Sequence, residues 1–189
     1  MVKKRRQRIS RDNWLEAGLE LLADQGVHAV KIDHLARRLG VAKTGFYWHF
    51  KNRRALLDAM LEFWEREYTT VVTESPGILS LPAADRLQAI NQMVQENFLS
   101  EYDLAIAHWA QHDEKAARCL ADTIAERMKF VGEAFRELGF KSVELEMRTR
   151  LYVCYTSWSP HMFGNAETAR DRRIRVMRNK LLIAPLSDD

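Results

Sequence analysis

Apolar positions recur every three or four residues along most of the chain, and no stretch sustains the period-two alternation of a half-buried strand. Trp14, Ala17, Gly18, Leu21 and Leu22 predict a first helix, capped by Ser10 and stopped by Gly26. Ile32, Leu35, Ala36 and Leu39 repeat the pattern over a shorter helix. Gly40 and Val41 follow as a tight turn, and a second short helical stretch runs from about Lys43 to Phe50. Asn52 caps a longer helix, to about Val72, with Leu56, Leu57, Met60, Leu61 and Trp64 on its inner face.

Pro76, Gly77 and Pro82 mark residues 74–82 as a loop. Leu87, Ile90, Val94 and Phe98 then share one helical face. Ser100 is placed to cap a short helix through about Gln111, and Asp113 caps a long one. The long helix carries Ala117, Leu120, Ile124, Met128, Val131, Phe135 and Leu138 at spacings of three and four, which fit no strand. Gly139 ends it and Ser142 starts the next. That helix has Met147, Leu151, Cys154 and Trp158 on one face and Leu145, Tyr152 and Tyr155 on another, so it needs cover on two sides. A final helix from 167 to about 183 turns Ile174, Met177 and Leu181 inward and its Arg and Lys residues outward. The expected fold is all-α, about nine helices and no strand.

Composition agrees. The 189 residues suffice for a packed core without disulfides or metals, and 8 Gly and 4 Pro are few for a strand-and-turn protein. Cys119 and Cys154 make no disulfide framework and fit a reducing, cytoplasmic compartment. The longest run without a charge, residues 151–166, falls short of the ~20 apolar residues of a membrane span and contains Pro160, His161 and Asn165. No signal peptide is expected, because no apolar segment follows the basic start. The net charge of +3 conceals an asymmetry: residues 1–60 carry 13 Lys and Arg against 6 Asp and Glu. The basic third is where a polyanion would be met, and its first residues serve either as a solvated tail or as an arm on phosphate.

Two short helices joined by a tight turn inside that third make a helix-turn-helix. Ala36, Leu39 and Val41 supply small and branched packing residues, and Gly40 tolerates the turn. Phe46 and Phe50 lie four apart and face inward, leaving Lys43, Thr44, Tyr47 and Trp48 outward. An exposed Tyr-Trp pair reads as a contact surface. Lys51, Arg53 and Arg54 follow at once, beside any phosphate that surface would meet.

The run LGVAKTGFYWHFKNRRALLDAM, from Leu39 to Met60, resembles the DNA-binding signature of the TetR family of bacterial transcriptional regulators, in its tetracycline-repressor-like form. The likeness rests on the Gly-Val turn, the Phe-Tyr-x-His-Phe core and the Asn-basic start of the next helix, and covers roughly residues 9–65. The resemblance implies that Lys43, Thr44 and Gly45 open the recognition helix, that Tyr47 and His49 contact the DNA backbone and bases, and that Arg53 stands where the family has a Lys on phosphate. It implies a DNA-binding domain over residues 1–51 and a ligand-binding and dimerisation domain over 52–189. Trp48 either meets DNA or packs on the helix below. Three positions depart from the pattern. Lys31 replaces a capping Ser or Thr and is a candidate phosphate contact; Asp33 replaces a base-reading Arg; Gly45 replaces a Thr. The operator therefore cannot be copied from a relative.

The remainder resembles the family in helix layout and length alone. Its aromatic residues read first as core, with Trp64, Phe98, Tyr102, Trp109, Tyr155 and Trp158 as candidates for the wall of an apolar ligand cavity. His108 and His112 lie four apart but lack a third ligand, so a structural role is preferred to a metal site. No phosphate loop and no nucleophile motif is present, so neither an enzyme nor a cofactor is expected. The expected partners are double-stranded operator DNA, a second copy of the chain through the two C-terminal helices, and an unidentified small effector. The leading reading is a ligand-responsive homodimeric repressor on a palindrome. The alternatives are an activator with the same head, or a helical small-molecule sensor that binds no DNA.

Overall fold

The computed structural model describes residues 9–163 and 168–184. The basic run before residue 9 and the expected helix start at 167 lie outside the described residues. Ten α-helices and no strand occupy the described residues. They are α1 (Arg11–Gln25), α2 (Ile32–Arg38), α3 (Arg53–Glu65), α4 (Val71–Thr73), α5 (Pro76–Leu79), α6 (Ala83–Glu96), α7 (Asp103–Ala110), α8 (Glu114–Glu137), α9 (Ser142–Phe163) and α10 (Ala169–Ile183).

Local chemistry sets the ends of the first helices. Ser10 and Asn13 form a reciprocal capping box at α1, with the Asn13 N–H on Ser10 Oγ at 3.2 Å and the Ser10 N–H on Asn13 Oδ1 at 3.0 Å. Gly40 takes φ +66°, which a side chain would resist, and lets the Val41 N–H return to the Ala36 carbonyl at 2.9 Å. Asn52 Oδ1 caps α3 through the Ala55 N–H at 2.9 Å. Asp113 Oδ1 caps α8 through the Lys115 and Ala116 N–H groups, each at 3.0 Å.

Two apolar clusters hold these helices together. The first begins in α1 with Trp14, Leu15 and Leu19, takes in Leu35, Phe46 and Phe50, and follows α3 through Leu56, Met60 and Trp64 to Ile106 and Trp109 of α7. It therefore runs without a break across residue 52. The second gathers Val72, Ile90, Phe130, Phe135, Tyr152 and Leu182. Between α3 and α4 the chain makes a wide π-type turn over Arg66–Thr70, so the long helix expected as far as Val72 changes pitch between the two clusters.

Several expectations change. The stretch after Gly40 is a 3₁₀ segment over Lys43–Trp48 rather than an α-helix. The proline-rich loop contains a one-turn helix, with Pro76 in its first turn. α6 stops at Glu96 and Phe98 adopts φ +53°, which swings its ring out to solvent instead of along the Leu87 face. α7 starts at Asp103, and Ser100 is buried without capping it. On α8 the covered line runs through Ala116, Thr123, Phe130 and Ala134, leaving Ile124 exposed. On α10, Ile174, Met177 and Leu181 face solvent, whereas Leu182 is buried and Arg178 lies over the rings of Tyr152 and Tyr155. The α10 face that meets the core lies about a quarter-turn round the helix from the line of Ile174, Met177 and Leu181. No described helix is long and apolar enough to cross a membrane.

Candidate nucleic-acid interface

Side chains three apart in a 3₁₀ segment stack in columns. One column here holds Phe46, fully buried and edge-on to Trp14 at 5.5 Å between ring centroids. The other two carry Thr44 with Tyr47, and Gly45 with Trp48. Tyr47 is 61% exposed and Trp48 86%, so Trp48 does not pack on the helix below. Phe46 anchors the segment to the core while its neighbours stand off it. A Cβ added to Gly45 would meet Trp14 Cζ2 at 3.9 Å, ordinary contact, so packing does not require glycine there.

The charged residues around this ridge divide into two groups. Lys31, Lys43 and Lys51 are exposed, and Lys43 pairs with Asp33 of α2. Lys31 caps no α2 amide. Arg53 points inward: its Nε–H and one Nη2–H donate to the Val30 and Val27 carbonyls, each at 2.6 Å. It therefore locks the turn before α2 onto the start of α3. His49 Nε2 lies 3.2 Å from the Ile9 carbonyl, which ties the entry of α1 to the ridge. Arg54 meets Asp113, the cap of α8, at 2.7 Å. Burial pushes the Asp113 carboxyl up, but the Arg54 guanidinium and the Ala116 and Lys115 amides together hold it below its ordinary value.

The six aromatic residues proposed for a ligand cavity are scattered. Trp64, Tyr102 and Trp109 belong to the first apolar cluster, which links α1 and α3 to α7. Phe98 is exposed, and Tyr155 lies against Arg178 at 4.2 Å. Trp158 lines a recess of about 200 Å³ between α8 and α9, together with Asp103, Arg127 and Cys154. A second, small cavity of about 40 Å³ lies among the π-turn, α4, α6, α8 and α9, walled by Tyr68, Val72, Ile90, Phe130 and Val153. Burial pushes the Tyr68 phenol up to about 12. A third recess, about 450 Å³, separates α6 from α10. His108 and His112 stack edge-on at 6.2 Å, and among the described residues no three His, Cys, Asp or Glu side chains gather to hold a metal.

One buried cluster is nearly silent in the sequence. Asp103 is 2% exposed and forms a two-point ion pair with Arg127, Nη1 to Oδ2 at 2.5 Å and Nη2 to Oδ1 at 3.1 Å. Asp103 Oδ1 also accepts the Trp64 Nε1–H at 3.2 Å. Arg127 donates to Thr69 Oγ1 at 2.9 Å and Ser157 Oγ at 3.1 Å. Five separate segments meet there. The local sequence signal is slight: Arg127 shares its helical face with Thr123 and Phe130, an odd place for a charge that stays in water.

Residues 15–60 match the sequence model of the family described as bacterial regulatory proteins, tetR family. Over 55 residues the chain is 47% identical to the tetracycline repressor protein class C of Escherichia coli, 29% of this chain and 25% of that protein. The chain thus spans about a quarter of the length of the curated relatives it matches in this way. Its fold resembles that of a transcriptional regulator from Rhodococcus sp. Rha1, with TM-score 0.70 and 14% identity over 93% of this chain and 94% of that one. It likewise resembles AibR, solved in complex with isovaleryl coenzyme A and operator DNA, with TM-score 0.68 and 18% identity over 93% of this chain and 99% of that one. The Phe46-anchored ridge thus lies inside the segment, residues 15–60, that matches the tetR family of bacterial regulatory proteins.

Proposed function

We propose that this regulator is a homodimeric repressor that grips a palindromic operator with two copies of the 43–51 ridge and is released by a small, largely apolar effector. The observation that carries the reading is the ridge itself: Tyr47 and Trp48 exposed beside Lys31, Lys43 and Lys51, in a head whose sequence matches the tetracycline repressors. We assign Lys43, Thr44 and Gly45 to base edges, Tyr47 to backbone and bases, Trp48 to a sugar or base face, and Lys31 and Lys51 to phosphate, while His49, its Nε2 held at the Ile9 carbonyl, positions the ridge. Arg53 acts by shaping the head, since its donors are engaged by carbonyls. Residues 1–51 are thus the DNA-binding head and 52–189 the effector and dimer body, with α3 shared between their cores.

A single ridge reads too few bases for a unique site, and pairing on a palindrome sets two ridges one DNA turn, ~34 Å, apart. The exposed apolar faces of α9 (Val143, Met147, Leu151) and α10 (Ile174, Met177, Leu181) supply a surface for a two-fold contact. The small cavity beside the π-turn is the effector site we favour. It touches Tyr68, Thr69, Val72 and Thr73 at the end of the helical run that carries the head, whereas the larger α6–α10 recess touches neither α3 nor α4. At about 40 Å³ it must widen to admit a ligand, and widening it moves that run.

The test is selection of binding duplexes from a random library by the full-length protein. The expected product is an inverted repeat bound by two copies, with affinity falling steeply as salt rises. An asymmetric site bound by one copy, or affinity indifferent to salt, would overturn the proposal.

A further inference from the structure

Resting on the effector site just proposed, we infer that the effector is an apolar acid whose anionic group takes the place of Asp103 on Arg127. The cavity beside the π-turn has walls of Val72, Ile90, Leu99, Phe130, Val131 and Val153. Its one charged lining residue is Arg127, and no Asp or Glu lines it. Hydroxyls of Thr69 and Ser157 already sit on that guanidinium, at 2.9 and 3.1 Å. The site is therefore apolar with one cationic end.

The same arginine is also the latch on the head. It holds Asp103, and Asp103 holds the Trp64 indole of α3. A neutral ligand that pulled Arg127 away would leave a buried guanidinium without a counter-charge, which the low-dielectric interior penalises heavily. An anion replaces one carboxylate by another and leaves the guanidinium paired. Asp103 has somewhere to go, because it also lines the neighbouring recess between α8 and α9, where Arg150, now paired with the exposed Glu146, can be shared. Once Asp103 turns there, Trp64 loses its acceptor and the end of α3 is released. Selection of an acid and release of the head thus follow from one exchange of ion pairs, with no covalent bond made or broken.

The probes are hexanoate and octanoate, each compared with its primary amide, on full-length protein followed by tryptophan fluorescence. Each acid should bind at least tenfold more tightly than its amide, and Trp64→Phe should remove most of the signal change while binding by calorimetry persists. Arg127→Gln should erase the acid preference. Arg127→Lys keeps the charge and guards against simple misfolding; it should retain the acid preference at reduced strength. Equal binding of acid and amide, no binding of either acid, or a preference that survives in Arg127→Gln would overturn the proposal. A duplex-release arm separates the two readings: acids that bind at Arg127 without releasing a selected duplex support the anion site and remove the repressor reading on which its role was built.

Discussion

Leu151→Glu should convert a dimer into a folded monomer. Leu151 lies on the outer face of α9 and is 52% exposed in the single chain. Complete burial of a leucine is worth about 1.5–3 kcal/mol, so covering the exposed half offers about 0.8–1.6 kcal/mol per copy. A two-fold contact uses each position twice, which makes about 1.5–3 kcal/mol for the pair. The substitution forfeits that and places two carboxylates of like charge in an apolar contact, adding at least a few kcal/mol of desolvation. A total loss of about 4 kcal/mol raises the dimer dissociation constant about a thousandfold. Sedimentation velocity over the low micromolar range reads this directly. The wild type should sediment as a dimer and Leu151→Glu as a monomer with an unchanged far-ultraviolet dichroism spectrum. Leu79→Glu, at an exposed apolar position on α5, is the control and should stay dimeric. If Leu151→Glu sediments with the wild type, α9 is not the contact; if the wild type is itself monomeric, the two-ridge account of operator binding fails.

Three further outcomes are expected. Tyr47→Ala should lower duplex affinity at least tenfold while shifting the melting temperature little, because most of the ring is in solvent and its contact with Phe46 is a single edge at 5.3 Å; anisotropy and a thermal melt separate the two effects. Arg53→Lys cannot keep both carbonyl bonds and should destabilise the fold by about 2 kcal/mol in urea titrations, whereas a purely phosphate-binding Arg53 would leave stability unchanged and weaken DNA alone. Cys154 is exposed in the single chain and lies on the α9 face proposed for the dimer, so a thiol reagent should label it slowly in the wild type and quickly in Leu151→Glu. Cys119 should react slowly in both, at a rate that climbs with pH, because burial raises its thiol to about 11 and the thiolate is the reactive form.

What could be read from the sequence was what neighbours in the chain decide. The Ser10 cap, the Gly40 turn, the Asn52 and Asp113 caps and the opposed placement of Phe46 and Tyr47 all depend on residues within a few positions. The all-helical class follows from spacing alone. What could not be read needs the third dimension. Ile174, Met177 and Leu181 have the spacing of an inward face, but spacing cannot distinguish a face that meets its own core from one that awaits another chain. Trp64, Tyr102 and Trp109 carry no local mark that separates core from cavity wall. Arg53 follows the family pattern for a phosphate contact, yet its reach to Val27 and Val30 depends on how the turn before α2 folds back on α3. Asp103 and Arg127 are 24 residues apart on different helices, and only packing makes them a pair.

These long-range pairs explain how a head and a body sharing α3 could be coupled. α3 is fastened to the body near both ends. At the start, Arg54 meets Asp113 at 2.7 Å and Lys115 meets Asp58 at 3.3 Å, with both cations about half open to water, so that each pair is worth ~1 kcal/mol. At the end, Trp64 and the π-turn residue Thr69 are bound through Asp103 and Arg127, out of water, where breaking a pair costs several times more. Asp113 and Arg127 lie at the cap and in the second half of α8, a 24-residue helix ~36 Å long, so one rigid rod carries both fastenings. In the regulator proposed here, the head end of α3 yields cheaply and lets two ridges adjust to the groove. The body end holds until a ligand offers Arg127 an equivalent charge. The coupling must then be reciprocal: whatever factor the effector removes from duplex affinity, bound duplex removes from effector affinity. Octanoate should accordingly bind more weakly to the protein saturated with a selected duplex than to the free protein, by the ratio in which octanoate weakens the duplex. Unequal ratios at equilibrium would mean that the acid and the DNA do not compete through α3.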